Sequence, residues 1–549
     1  MRFIGACLLL IGTFLFAPTA TAQSLPIGDP FEQYLRVMPA TDSVSTFPSY
    51  HIRPVYHRVE RESDAGKHFQ HPWQNHHYFQ PADERRFTIH TPTLITTTNS
   101  DFPAGQNDGA MWQGKGINTS LSVGANFRYG PVNISFRPEF GYTQNNDFEL
   151  SPLRTGNRIS EFGMPKPSGT MDSPQRFGSD SYSWLHPGQS FAQLEYRGFA
   201  GGISTENFWV GPAQHNPLMF SNNAPGFLHG FLGSYRPIET PIGNFEGRLF
   251  WGGAQESDYF DENPDNNLRL ISGIVLNYSP SFAKGLHLGL TRNFMEYIPD
   301  DGIQSTQVFR AFQAYSDENF AAGGENTNNQ MISVFGRWGF PNAGFEMYFE
   351  YGRNDNFRET RDLLVNPDHA RAYMLGMMQR VNLPGNRFLS VNYEMTHLQV
   401  PRTVIGRTNG PTYQHHVIRQ GWTNQGQILG AGINSGSNNQ ILSTNMYDSW
   451  GMAGLSFNRV EHLNDRLRRY FSRIRSYQTA EDVTFTEENL RELEFRLGFH
   501  GLIFLPHNLE LQASAYQSFF RNRNNLYENN ERNLNIQLTL RYQLPGFAR

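Results

Sequence analysis

Nine side chains stand in stretches rich in Asn, Gln, Gly and Trp: Asp108, Trp112, Asn207, Trp209, Asn216, Asn222, Asn223, Arg419 and Trp422. Together these residue types do the chemistry of sugar recognition. An indole face stacks on the C–H face of a pyranose, an amide binds paired hydroxyls, and a guanidinium pairs with a uronate carboxylate. The same residues have an architectural reading of equal weight. Asn ties turns together, Gly and Pro set turn angles, and Trp fills an interior.

Bond chemistry has a thinner basis. His215, His415 and His416 lie in loop-like stretches, but no G-x-S-x-G nucleophile signature accompanies them. Glu206 and Glu346 are expected to pair with arginines rather than to act as general acids or bases. Residues 51–90 carry seven of the 18 histidines, including His76 and His77. They lack the helical spacing or carboxylate partners of a metal site, so no metal, cofactor or catalytic residue is assigned.

The elements that must position these loops are strands. From Ile117 to Tyr129, the residues Ile117, Leu121, Val123, Ala125, Phe127 and Tyr129 share one face with Thr119. Asn118, Ser120, Ser122, Asn126 and Arg128 lie on the other. Gly130-Pro131 breaks the chain, and Val132, Ile134, Phe136, Phe140 and Tyr142 resume the pattern. Period two puts alternate side chains on opposite faces of a strand. The cleanest case is the last, Leu534, Ile536, Leu538, Leu540 and Tyr542 against Asn535, Gln537, Thr539, Arg541 and Gln543. Long strands with an apolar face, a polar face bearing Arg and Glu, and aromatics near the turns fit a transmembrane β-barrel with lipid outside and a polar lumen.

Composition agrees. The 549 residues are 38% hydrophobic and 14% aromatic, and the mean hydropathy of −0.54 excludes a helical membrane protein. A net charge of −5 gives no basic footprint for nucleic acid. Arg2, the apolar run Ile4 to Phe16 and Ala20-Thr21-Ala22 read as a secretory signal over residues 1–22, with the only cysteine, Cys7, inside it. Export plus a barrel places the chain in a Gram-negative outer membrane, in contact with its lipid. A monomer is expected.

Residues 23–86 do not alternate and are expected to form a small periplasmic segment with short helices, one of them starting at Asp29 as N-cap and Pro30. Residues 87–549 form the all-β, antiparallel barrel. With both termini in the periplasm, Gly130-Pro131, Pro341–Gly344, Leu383–Asn386 and Pro506–Asn508 become periplasmic turns, and the long connections fall outside. One stretch, 444–458, is expected as a single strand. Parity then requires one more inward strand between 399 and 443, giving about 18 strands. The loop 459–475 is expected to fold back as a helix with Leu463, Leu467, Tyr470 and Ile474 on one face.

Several motifs in order carry a family resemblance: NDGAMWQGKG at 107–116, STENFWVGP at 204–212, SNNAPGF at 221–227, FEMYFEYGRND at 345–355, NPDHARAY at 366–373, YEMTHLQ at 393–399 and GWTNQGQILGAGI at 421–433. The chain resembles the capsule assembly Wzi family. The resemblance implies an outer-membrane barrel of about 18 strands with a small helical periplasmic part. It implies a lectin-like protein, not an enzyme, that attaches capsular or other surface polysaccharide to the cell. The competing expectation is a substrate-selective porin, since a barrel of this size can leave an aqueous lumen.

Overall fold

The computed structural model describes residues 24–25, 27–38, 55–56, 71–74, 76, 86–151, 171–261, 263–313, 328–354, 364–366, 368–402, 410–478, 480 and 482–543. The expected leader lies outside them, as does most of 39–85. Eighteen antiparallel strands close into one barrel. In chain order they are β1 (Phe87–Asn99), β2 (Gly116–Tyr129), β3 (Val132–Phe136 and Glu139–Thr143), β4 (Tyr182–His186 and Phe191–Tyr196), β5 (Phe199–Ser204), β6 (His229–Ser234 and Ile238–Thr240), β7 (Gly243–Gln255), β8 (Leu268–Pro280) and β9 (Leu286–Tyr297). Then follow β10 (Asn328–Phe340), β11 (Phe345–Asn354), β12 (Arg371–Leu383), β13 (Arg387–His397), β14 (Asn438–Asp448), β15 (Gly451–His462), β16 (Glu492–Leu505), β17 (Leu509–Arg521) and β18 (Glu531–Tyr542). The last strand pairs with the first, from Asn535 opposite Asn99 to Arg541 opposite Thr93. Among the described residues no helix is long and apolar enough to cross a membrane.

The alternation read from sequence is the register observed. Phe349, Leu538 and Leu540 are exposed on the outer wall, while Asn533 and Thr539 are buried on the lumen side. Small polar residues line that side, among them Asn133, Ser135, Ser390 and Asn392. Prolines mark the interruptions. The β1–β2 register slips between His90 and Thr93, around Pro92, and β3 breaks at Pro138, because proline cannot donate to a ladder. The expected periplasmic turns are tight and left-handed where required: Gly130, Gly344, Asn386, His507 and Asn508 all have positive φ.

One expectation is corrected. Residues 444–458 are not a single strand. They are the inner part of a hairpin, β14 and β15, turned at Ser449-Trp450. The additional inward strand is therefore Asn438–Asp448, and the described residues between 398 and 437 contribute no barrel strand. That frees a long outer connection to fold elsewhere.

Helix α1 (Pro30–Val37) starts where expected, with the Asp29 carboxylate accepting from the Phe31 N–H at 3.0 Å. Phe31, Tyr34, Leu35 and Val37 pack with Trp73 against Met378, Phe388, Tyr447, Met452 and Leu502. These partners belong to the periplasmic halves of β12 to β16, so the helix sits inside that mouth of the barrel. The rings of Tyr34 and Trp73 stack at 3.9 Å. Arg36 reaches the lumenal Glu346, which also holds Arg337. The expected arginine pairing of Glu346 is thus present, with one arginine supplied by the helix.

Candidate functional site: the plugged outer mouth

Two outer loops fold into the lumen and pack as one body. The β5–β6 loop (205–228) supplies Phe208, Val210, Leu218, Met219 and Phe220, and the β13–β14 loop (398–437) supplies Tyr413, Trp422, Ile428, Leu429 and Ile433. Their apolar cluster extends to wall residues Phe231, Phe250, Ile271, Val275, Phe335 and Met374. Burial of so many large side chains is the main stabilising term. Backbone groups then lock the loops together. Ser221 N–H donates to Leu429 O at 2.7 Å, and Tyr413 Oη donates to Leu218 O at 2.7 Å.

Lumenal carboxyl and guanidinium side chains anchor this plug. Glu394 of β13 accepts three consecutive backbone N–H groups, from Gln214 (2.7 Å), His215 (3.1 Å) and Asn216 (2.8 Å). Glu350 of β11 accepts from Leu218 N–H at 2.9 Å and from Ser333 Oγ at 2.8 Å. Arg269 of β8 donates to the carbonyls of Gly421 and Thr423, at 3.0 and 3.1 Å. Buried charges persist where such fixed partners replace water.

The nine sequence candidates divide into two groups. Trp422 is fully buried and its Nε1 donates to Met219 O at 2.8 Å; Trp209 is buried and donates to Ala213 O at 2.9 Å. Asn207 bridges Gln189 and Ala224 O, and Asn216 is buried beside Glu394. These four side chains lie within the plug.

The other five are less enclosed: Asp108, Trp112, Asn222 and Asn223 are partly buried and Arg419 is exposed. Asn222 donates to Asn107 O at 2.8 Å and its carbonyl accepts from Gly109 N–H at 2.7 Å, so the β1–β2 loop and the plug meet beside Asp108. Asn223 donates to Ile428 O at 3.0 Å, and its Oδ1 lies where a Cβ on Gly432 would stand, 2.4 Å away. Burial of the carboxyl pushes Asp108 up to about 7, against the opposing hydrogen bonds from Gln113 and Gln106 and the charge of Arg496. Trp112 is half-buried, with its ring 4.7 Å from Phe177. Arg419 is exposed on another edge, where its backbone N–H meets Tyr297 Oη at 3.2 Å. Among the described residues its guanidinium has no ion pair.

The loop histidines have structural contacts among the described residues. His415 Nδ1 accepts from Val417 and Ile418 N–H at 3.3 and 3.1 Å, and the His416 ring lies tilted beside it at 4.6 Å. The expected arginine pairing of Glu206 is not formed as an ion pair among the described residues. Glu206 accepts from Ser204 Oγ at 3.2 Å and lies in the field of Arg248, while burial pushes its carboxyl up to about 7.

Sequence reasoning missed two features. One is an aromatic patch around Trp112: Phe177 stacks with Tyr182 at 6.4 Å and meets Tyr259 edge-on at 5.5 Å, all partly exposed. These residues come from three separate loops and strands, so no local pattern joins them. The other is the anchoring pair Glu350 and Glu394. Each is a carboxylate on the polar face of a cleanly alternating strand, and that was the available signal.

The model of the capsule assembly protein Wzi family matches residues 89–505, most of the chain. Among solved structures, one of Escherichia coli is described as Wzi, an outer-membrane protein involved in group 1 capsule assembly and a carbohydrate-binding β-barrel. It superposes with a TM-score of 0.59 over 95% of this chain and 100% of that one, at 12% identity, and so shares the fold. OprD of Pseudomonas aeruginosa matches more loosely, with a TM-score of 0.38 at 8% identity over 86% and 96% of the two chains, and adds nothing to the argument. No curated protein matches in sequence. The closed barrel, its lipid-facing belt and the family match agree: the chain belongs to the capsule assembly protein Wzi family, outer-membrane β-barrels of Gram-negative bacteria.

Proposed function

We propose that this protein holds a capsular or other surface polysaccharide at its outer mouth and attaches it to the cell, without breaking or forming bonds in it. The observation that carries this reading is that folded segments occupy both ends of the lumen. Loops 205–228 and 398–437 pack inside the outer half, and α1 with Trp73 packs inside the periplasmic mouth against β12 to β16. A lumen obstructed at both ends is a poor route for solute, which weighs against the porin alternative. Left partly or fully exposed beside these loops are Trp112 with its aromatic neighbours, Asn222, Asn223, Asp108 and Arg419.

Sugar binding at such a surface is weak per contact. An indole face gains from covering C–H surface, and hydroxyls must exchange water for fixed polar partners. A polymer touching several loops is then retained by avidity. Trp209 and Trp422 serve this indirectly by building the plug that presents the surface.

The test uses the purified, refolded full-length barrel. Polymer from the host's own surface layer should be retained on immobilised protein, unchanged in chain length, and Trp112→Ala should weaken retention several-fold. Planar-bilayer recordings should show little conductance. A steady open-pore current together with no polymer retention would replace this reading with the porin one.

A further inference from the structure

The outer wall of β8 and β9 is not bare near its extracellular end. Leu290 of β9 lies opposite Leu276 and Val334, so even-numbered residues on β9 share the lipid-facing side. Lower on that side Leu276, Leu288 and Val334 are 45, 41 and 45% exposed. Higher up, Leu270, Phe294 and Glu296 on the same side are all buried.

What covers them is the stretch 298–313 after β9, folded back over the outside of the barrel rather than over its mouth. Trp251 Nε1 donates to Val308 O at 2.7 Å. The Arg292 guanidinium donates to Ala311 O and Gln313 O at 3.2 and 2.8 Å. Arg310 grips both oxygens of Glu296 at 3.1 and 2.9 Å. Two charges on the outer wall are thereby neutralised or bonded, as a position beside lipid demands.

The free face of this flap is apolar where it points away from the wall. Ile303 is 54% exposed, Phe309 59% and Phe312 57%. Asp300, Asp301, Gln304 and Ser305 beside them are exposed and polar. Large apolar side chains left exposed together on one short segment mark an interaction surface. The occupant follows from continuity: the next residues down the same wall are the lipid-facing Leu276 and Val334. Aromatic side chains also suit the boundary between acyl chains and head groups.

We propose that residues 298–313 form a clasp seated in the outer leaflet, with Phe309, Phe312 and Ile303 in its acyl boundary and Asp300 and Asp301 toward the head groups. The clasp would fix the height and tilt of the barrel beneath the surface layer.

The test places a nitroxide at Phe309→Cys, Phe312→Cys or Ile303→Cys in a Cys7→Ser background of the full-length protein, in phosphatidylcholine liposomes. Asp301→Cys and Asp265→Cys, the latter in the exposed β7–β8 loop, serve as solvated references. Collision with oxygen should exceed collision with a nickel chelate several-fold at 309, 312 and 303, and the order should reverse at 301 and 265. Three positions are read so that misfolding of one variant leaves the decision intact. Nickel-favoured collision at 309 and 312 would show a solvated loop and overturn the proposal. Exclusion of both reagents would show contact with protein, such as a second copy, and overturn it equally.

Discussion

Asn216 N–H donates to the Glu394 carboxylate at 2.8 Å, joining a plug loop to a barrel strand 178 residues away in the chain. Gln214 and His215 donate to the same carboxylate, and Tyr348 Oη adds a fourth contact at 3.2 Å. A single lumenal charge therefore collects three consecutive backbone donors and pins the loop that carries Trp209 and Asn222. Glu394→Gln removes the charge and turns an amide N–H₂ toward those donors. Charged hydrogen bonds of this kind contribute roughly 1.5–3 kcal/mol each. The variant should keep its barrel but show intermittent conductance in planar bilayers where the native protein is closed. An equally quiet variant would mean that the plug is held by packing alone.

The strand register gives a sharper architectural prediction. Leu538 is 48% exposed on the lipid side, and its neighbour Gln537 faces the other way. Leu538→Arg should destabilise the folded barrel by about 2–4 kcal/mol if the site lies near the bilayer midplane. Gln537→Arg should fold nearly as well as the native chain. Urea unfolding from liposomes measures both, and the opposite order would invert the register.

Acidity should tighten the outer mouth. Burial pushes the carboxyls of Asp108, Glu206, Glu256 and Asp465, all in outer loops, up to about 7. A carboxyl whose folded value lies above its unfolded value of ~4 favours the fold when protonated. That contribution is complete below the unfolded value and is lost as pH rises towards 7. Hydrogen exchange in the plug loops should therefore be slower, after correction for intrinsic rate, at pH 5 than at pH 8. Glu206→Gln should flatten part of the difference. Greater protection at pH 8 would contradict the assignment.

At the periplasmic end, Trp73 carries the seal. It stacks on Tyr34, and its Nε1 donates to Gly451 O at 3.2 Å. Trp73→Ala should cost about 3–5 kcal/mol locally, as for other buried large-to-small changes. Limited proteolysis near residues 27–38 should then outpace that of the native protein while β1 to β18 stay intact. Unchanged protection would show that α1 is held chiefly by Arg36 and Glu346.

Most of the frame was legible because lipid on one side and small polar side chains on the other leave a period-two record in each strand. The hairpin of β14 and β15 escaped because its turn, Ser449-Trp450, lacks the usual Pro or Asn-Gly marker. The signal lay in phase: Leu442 faces out from an even position, whereas Leu455 and Phe457 face out from odd ones. A single strand cannot change phase without a bulge or a turn. The mouth was less legible. The composition that suits a sugar also suits a plug, and Trp422 and Trp112 differ only in what covers them. That depends on Met219 and Phe177, which no local pattern connects to either indole.

The most direct measurement is the share of surface polysaccharide that stays with washed cells in the host bacterium. Deleting the protein should move polymer into the medium while total synthesis stays the same, and the native chain should restore attachment. A chain with Trp112→Ala and Arg419→Ala, both partly or fully exposed beside the plug loops, should reach the membrane in normal amount yet restore only part of it. A deletion strain that keeps a normal attached layer and instead loses uptake of a small solute would contradict the account.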